Sequence, residues 1–174
     1  MNAPPPVPKA LAPLDPEVLE ILRRAFDHAR AGEAAELTAL LDLGVSQNLS
    51  NEKGDTLLML SAYHGHVGAA QVLLARGAAV DRPNDRRQTP LGGATFKGDL
   101  AMVTLLLDAG AAVDGHGGDG RTALMYAAMF DRLEIIELLL ARGAARECAD
   151  ATGMTALALA QAMGAQRAAA RLAM

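Results

Sequence analysis

Thr56, Thr89, Thr122 and Thr155 stand 33 residues apart, and a chain that repeats itself four times on one step is assembled from copies of a small unit. Other columns keep the same step. A leucine follows each threonine by two (Leu58, Leu91, Leu124, Leu157), and the pairs Leu73-Leu74, Leu106-Leu107 and Leu139-Leu140 recur with Gly77, Gly110 and Gly143 behind them. Gly32, Gly65, Gly98 and Gly164 share a further register, which Asp131 occupies once; Asp is one of the few other residues that tolerate a left-handed turn.

Each column has a physical reading. A threonine hydroxyl suits a helix N-cap, and Thr89-Pro90 puts proline at a first helical position, where its missing N–H costs nothing. A short helix follows each threonine and ends near the column of Gly65. A second helix carries apolar residues three and four apart, as in Val67, Ala70, Leu73 and Leu74 or Leu133, Ile136, Leu139 and Leu140, and stops at Gly77, Gly110 or Gly143. One such helix pair cannot bury its apolar face alone, so the core must come from stacking. Composition agrees. Of 174 residues, 37 are Ala and 27 Leu, while only 3% are aromatic, which suits thin, closely packed helical layers and not a β-sandwich. The expected fold class is all-α.

The stretches GDTLLMLSAYHGHVGAAQVLLARGAAVD, RQTPLGGATFKGDLAMVTLLLDAGAAVD and GRTALMYAAMFDRLEIIELLLARGAAR closely resemble ankyrin repeats. That resemblance implies an ankyrin repeat solenoid of stacked helix-turn-helix units with projecting β-hairpin loops. It divides the chain into a Pro-rich flexible tail at 1–16, a capping unit at about 17–50, internal units at about 51–83, 84–116 and 117–149, and a truncated last unit at about 150–174. The first unit keeps the frame through Ala29-Arg30-Ala31-Gly32-Glu33, Leu37, Leu40, Leu41 and Gly44. Two features depart from the family. Its usual tetrad histidine is replaced by Met59, Gly92, Met125 and Ala158, and its proline survives only at Pro90. In the last unit Gln161, Gln166, Arg167 and Arg171 are expected to solvate the end of the stack. A composition rich in Ala, Arg and Gly suits a bacterial source.

The resemblance also implies a concave, partner-binding face made of hairpin tips and first helices. Carried over residue by residue, it selects Glu52, Lys53, Asp55, Tyr63 and His64, then Asp85, Arg86, Gln88, Phe96 and Lys97, then Gly118, Asp119, Arg121, Met129 and Phe130. Three of the five aromatic residues fall in this set. Exposed aromatics flanked by charge are the usual material of binding hot spots, although rings filling space between helices would share the same positions. Gly92-Gly93 is either a notch for a partner side chain or a relief of crowding. Arg82, Arg86, Arg87 and Lys97 are either a selector for an acidic segment or a solvated hairpin.

The expected function is therefore non-enzymatic binding of a protein partner, as adaptor, inhibitor or stabiliser. The competing reading is a small-ligand protein, metal protein or enzyme built around the Gly-rich hairpin at 114–120, where Asp114, His116 and Asp119 are the candidate ligands. That stretch lacks the phosphate-loop pattern, and His28, His64 and His66 have no cysteine cluster beside them. No catalytic residue, metal site or cofactor is expected. Glu134 and Glu137 read as solvated charges, and Cys148 as an inert turn thiol. A net charge of −4 disfavours nucleic acid. A lone cysteine, no apolar run long enough to span a membrane and no secretory leader point to the cytoplasm, and a monomer is expected.

Overall fold

The computed structural model describes residues 15–174, so the Pro-rich segment lies outside the described residues up to position 14. Pro16, placed in the tail by the sequence, is instead the first residue of α1 (Pro16–Ala31), and the Asp15 carboxylate caps that helix by accepting from the Glu17 N–H at 2.9 Å. The described residues form ten helices in five antiparallel pairs. After α1 come α2 (Ala34–Asp42), α3 (Leu57–Tyr63), α4 (Val67–Ala75), α5 (Pro90–Lys97), α6 (Leu100–Asp108), α7 (Ala123–Met129), α8 (Leu133–Ala141), α9 (Ala156–Met163) and α10 (Gln166–Leu172). The first helices of successive pairs pack in one layer, α1-α3-α5-α7-α9, and the second helices in another.

The threonine column caps α3, α5, α7 and α9. Each Oγ1 accepts the N–H three residues on, at 3.1 Å for Met59 and Gly92, 3.4 Å for Met125 and 3.3 Å for Ala158. Burial follows the leucine columns, and Leu58, Leu73, Leu91, Leu106, Leu124 and Leu139 are almost wholly enclosed. Alanines line the seams between pairs, with Ala25, Ala62, Ala94, Ala127 and Ala160 all buried. A residue with almost no side chain lets helix axes approach closely, which is the structural use of so much alanine.

The projecting loops hold less β-structure than the resemblance implies. Three of the four reduce to an isolated antiparallel bridge, Ser50 with Thr56, His116 with Thr122 and Ala149 with Thr155. The second loop lacks its bridge for a chemical reason: the bond that Leu57 N–H gives Leu49 O at 3.3 Å would there have to come from Pro90, which has no N–H.

Polar side chains also bond across the unit boundaries on the same period. Asn48, Asp81 and Asp114 accept the backbone N–H of Ala79, Ala112 and Ala145 in the next unit at 2.8, 3.1 and 3.0 Å. Asp131 is a substitution with a purpose. A Cβ added to Gly32 would lie 2.5 Å from the His66 ring, one on Gly65 3.1 Å from Asp99, and one on Gly98 2.7 Å from the Arg132 guanidinium. Those neighbours are the residues just before α4, α6 and α8. The corresponding residue before α10 is small Ala165, which leaves room for a side chain at 131. Asp131 adopts φ +53° and accepts the Ala168 N–H at 2.7 Å, so it caps from the preceding unit a helix that has no capping side chain of its own.

The last unit is tied back more firmly than the expectation of a solvated end allows. Arg171 makes a two-point ion pair with Glu137 at 2.6 and 3.0 Å, and Arg167 lies 3.8 Å from Asp131. The hydrogen bonds from Arg171 draw the Glu137 pKa down, so Glu137 is a paired charge and not merely a solvated one.

Candidate functional site

Tyr63, Phe96 and Phe130 end the first helices of three successive units and keep 43%, 45% and 38% of their surface exposed. They are neither core residues nor isolated surface rings. Phe96 packs edge-on against Phe130 with centroids 5.2 Å apart and against Tyr126 at 6.3 Å, while the Lys97 ammonium sits 5.0 Å from the centre of the Tyr63 ring. Edge-to-face pairs and a cation over a ring hold these side chains in place without burying them.

Beside them opens a cleft of about 470 Å³ between the hairpin tips and the first helices, with Tyr63, Phe96 and Tyr126 as walls and Gly92 and Gly93 as floor. Arg86, Gln88, Gly117 and Arg121 bound its hairpin side. Its volume is that of an ordinary ligand pocket. Tyr126 is the residue that the carry-over of family positions missed. Its pKa is raised, chiefly by burial and then by the nearby Asp119 charge, so it is a neutral donor at physiological pH. A helical tyrosine four residues past a capping threonine and one unit on from Gly93 was the available signal.

The expected partner-facing residues divide into two groups. Glu52, Lys53, Asp85, Arg86, Gln88, Gly118 and Asp119 lie exposed at the tips, and His64 and Lys97 lie exposed at the helix ends. Asp55, Arg121 and Met129 are part-buried. Asp55 accepts the Asn84 amide at 2.8 Å, Arg121 lies between Asp119 at 3.7 Å and Asp150 at 3.4 Å, and Met129 packs against the core. Arg82 does not join a basic cluster with Arg86 and Arg87, because it turns back to the Asn48 carbonyl at 3.0 Å.

The competing ligand-loop residues are occupied elsewhere. Asp114 holds the Ala145 N–H, the His116 ring bonds its neighbour Gly117 O at 3.0 Å, and Asp119 faces Tyr126 and Arg121. His28 pairs with Glu33, and His66 bonds the Arg30 carbonyl at 2.7 Å. Among the described residues no three His, Cys, Asp or Glu side chains converge as a metal site would need. No helix among them is long and apolar enough to cross a membrane.

These helix pairs, capped by threonine and closed by left-handed glycines, match a family profile described as ankyrin repeats, three copies, over residues 26–116 and 93–174. The chain belongs to the ankyrin repeat family, whose members serve generally as protein–protein interaction modules. It is also similar to a Pseudomonas aeruginosa protein named for its ankyrin repeats, with 51% identity over 59 residues, a stretch that covers 34% of each chain. The match thus spans about a third of that bacterial relative.

Proposed function

We propose that this chain is a non-enzymatic binding module that holds a protein partner against its hairpin tips and first helices, as an adaptor, inhibitor or stabiliser. One observation carries the reading: three rings stay 38–45% exposed in a row along that face, fixed by one another and by Lys97, in a chain that has only five aromatic residues to place. A preorganised aromatic row flanked by charge loses little entropy on binding, which makes it effective contact surface. A monomer in the reducing cytoplasm fits the same reading, since Cys148 has no partner cysteine in the sequence.

The test is affinity capture from the source cell with the intact chain and with Phe96→Ala. A hot-spot ring is worth about 2 kcal/mol or more, so capture should fall roughly thirtyfold. The same capture with Gln71→Ala, an exposed position on α4, should be unchanged. A partner retained equally by wild type and Phe96→Ala, or lost with Gln71→Ala instead, would place binding on another surface.

A further inference from the structure

Three departures from the repeat converge between the second and third hairpins. The residue with positive φ is glycine in the other hairpins, at +73° for Gly54, +76° for Gly120 and +82° for Gly153, but here it is Arg87, at +60°. The difference has a steric consequence. A Cβ on Gly54 would sit 2.8 Å from the Asp85 amide nitrogen, and one on Gly120 2.9 Å from that of Ala151. Those two amides bond across the unit boundary to Lys53 O at 3.0 Å and Asp119 O at 2.9 Å. Arg87 does carry a Cβ, and Gly118, the residue in matching register, is packed against it; the equivalent bond from Gly118 N–H to Arg86 O is not formed.

The second departure is Gly117. Asn51, Asn84 and Asp150 in the same column fold their own loops by accepting two backbone N–H groups each, and the latter two also reach the preceding unit at Asp55 and Arg121. Gly117 has no side chain to reach Gln88. The third departure is Gly92-Gly93 in α5. A Cβ on Gly93 would meet only Tyr63 Cδ2, at 3.8 Å, an ordinary contact, so crowding does not demand glycine at 93, whereas one on buried Gly92 would lie 3.2 Å from Thr89 Oγ1 and 3.6 Å from the Tyr126 ring. Each change removes a contact; Gly117 and Gly92-Gly93 line the one cleft, and Arg87 stands in the chain between its lining residues Arg86 and Gln88.

Charge indicates what would fill it. Arg86 borders both the main cleft and the smaller recess at Gly118, and neither it, Arg87 nor Lys97 joins an ion pair among the described residues. The acids that line the two recesses are engaged: Asp55 with the Asn84 and Asn51 amides, Asp119 with the Arg121 N–H and the Tyr126 hydroxyl; Asp85, exposed next to Arg86, lines neither recess. The uncommitted charge on the lining is thus the Arg86 cation, beside aromatic walls and a floor without side chains.

Resting on the reading that this face holds a protein partner, we propose that the cleft receives an extended acidic segment of that partner, which seats one bulky apolar side chain on Gly92 and Gly93 and pairs an adjacent carboxylate with Arg86. Arg87 keeps the hairpins apart so that the segment can enter.

The test pans random dodecapeptides displayed on phage against the intact chain and measures a synthetic copy of the enriched consensus by calorimetry. The consensus should contain an apolar residue beside Asp or Glu. Its affinity should fall about tenfold or more with Arg86→Gln and with Gly93→Leu, the scale of losing a hot-spot contact, and should weaken with added salt. Arg87→Gly, which lets Gly118 close on Arg86, should weaken it several-fold. It does so without loss of folding, which covers the case in which Gly93→Leu melts early. A consensus without acidic residues, affinities indifferent to Arg86→Gln and Arg87→Gly, or a library that yields no binder would overturn the proposal. Competition by a peptide of residues 1–14, or self-association abolished by Arg86→Gln, would also overturn it by assigning the cleft to this chain's own leading segment or to a second copy. Peptides that need Phe96 but ignore Arg86 and Gly93 would overturn the cleft alone, whereas peptides that ignore all three would overturn the partner-binding face as well.

Discussion

Asp131 offers a quantitative test of how the units are joined. It does two things at once: it occupies a left-handed backbone conformation at φ +53°, and its carboxylate caps α10 through the Ala168 N–H at 2.7 Å. Three substitutions separate these roles. Asp131→Asn keeps an acceptor and a residue type at ease with positive φ, and loses only the charge facing Arg167 at 3.8 Å; exposed pairs are worth about 0–1 kcal/mol, so little should change. Asp131→Gly relaxes the backbone but deletes the cap, a loss of about 1 kcal/mol. Asp131→Ala deletes the cap and leaves a Cβ in a conformation that alanine resists, adding about 1–2 kcal/mol, for a total of about 2–3. For a chain of this size each kcal/mol moves Tm by about 2–4 °C, so thermal melts followed by circular dichroism should order the variants Asn, Gly, Ala, with the alanine form about 5–10 °C below wild type. Amide exchange at Ala168 and Ala169 should quicken in the Gly and Ala variants before the α3–α8 amides respond, because a stacked array opens from its ends. Equal stability of the Asn and Ala variants would refute cross-unit capping.

Other consequences follow from the same structure. Arg87→Gly should raise stability by about 1 kcal/mol, by removing a positive φ from a residue with a Cβ and restoring one backbone hydrogen bond; urea melts and protection of the Gly118 amide check it. Leu106→Ala, at a wholly buried central position, should cost about 2–5 kcal/mol, whereas Leu43→Ala, at a position 76% exposed, should cost almost nothing; paired urea denaturations measure both. Asp150 accepts from the Thr152 hydroxyl and from the Met154 and Thr152 N–H groups, with Arg121 beside it, and these hold its pKa at about 2 against an ordinary 3.8. A lowered folded pKa means that the unfolded chain takes up the proton first, so the stability Asp150 gives is complete above about pH 4 and is lost as pH falls toward 2. Asp150→Asn, the residue type already used at Asn51 and Asn84, should flatten that part of the stability profile.

What the sequence made legible is what obeys the period. Threonine caps, glycine stops and leucine columns are short-range chemistry, repeated often enough that one unit explains the next, so the helices and the stacked core could be located before any coordinates. The aromatic row was legible for the same reason, from two adjacent columns, Tyr63, Phe96 and Met129 with His64, Lys97 and Phe130 beside them, though its edge-to-face packing on Tyr126 was not. The cleft was legible only in part, as the candidate notch at Gly92-Gly93, because it arises from exceptions. Arg87 matters only because of what Gly118 would otherwise touch, and Gly117 only because Asn84 and Asp150 reach across a boundary 29 residues away in sequence. Asp131 looked like a tolerated turn residue, since its role depends on a helix more than 30 positions later. Such pairings need three dimensions, but their signal was present: at each of these sites the chain breaks its own repeat.

The most direct measurement is site-specific photo-crosslinking in the source cell. A benzophenone amino acid replaces Phe96 in one version of the chain and Gln71, on the second-helix layer, in another. If the hairpin-side face holds the partner, position 96 crosslinks to one protein in a defined band and position 71 does not. Crosslinking from position 71 alone, or from both positions alike, would contradict the assignment of this face as the binding surface.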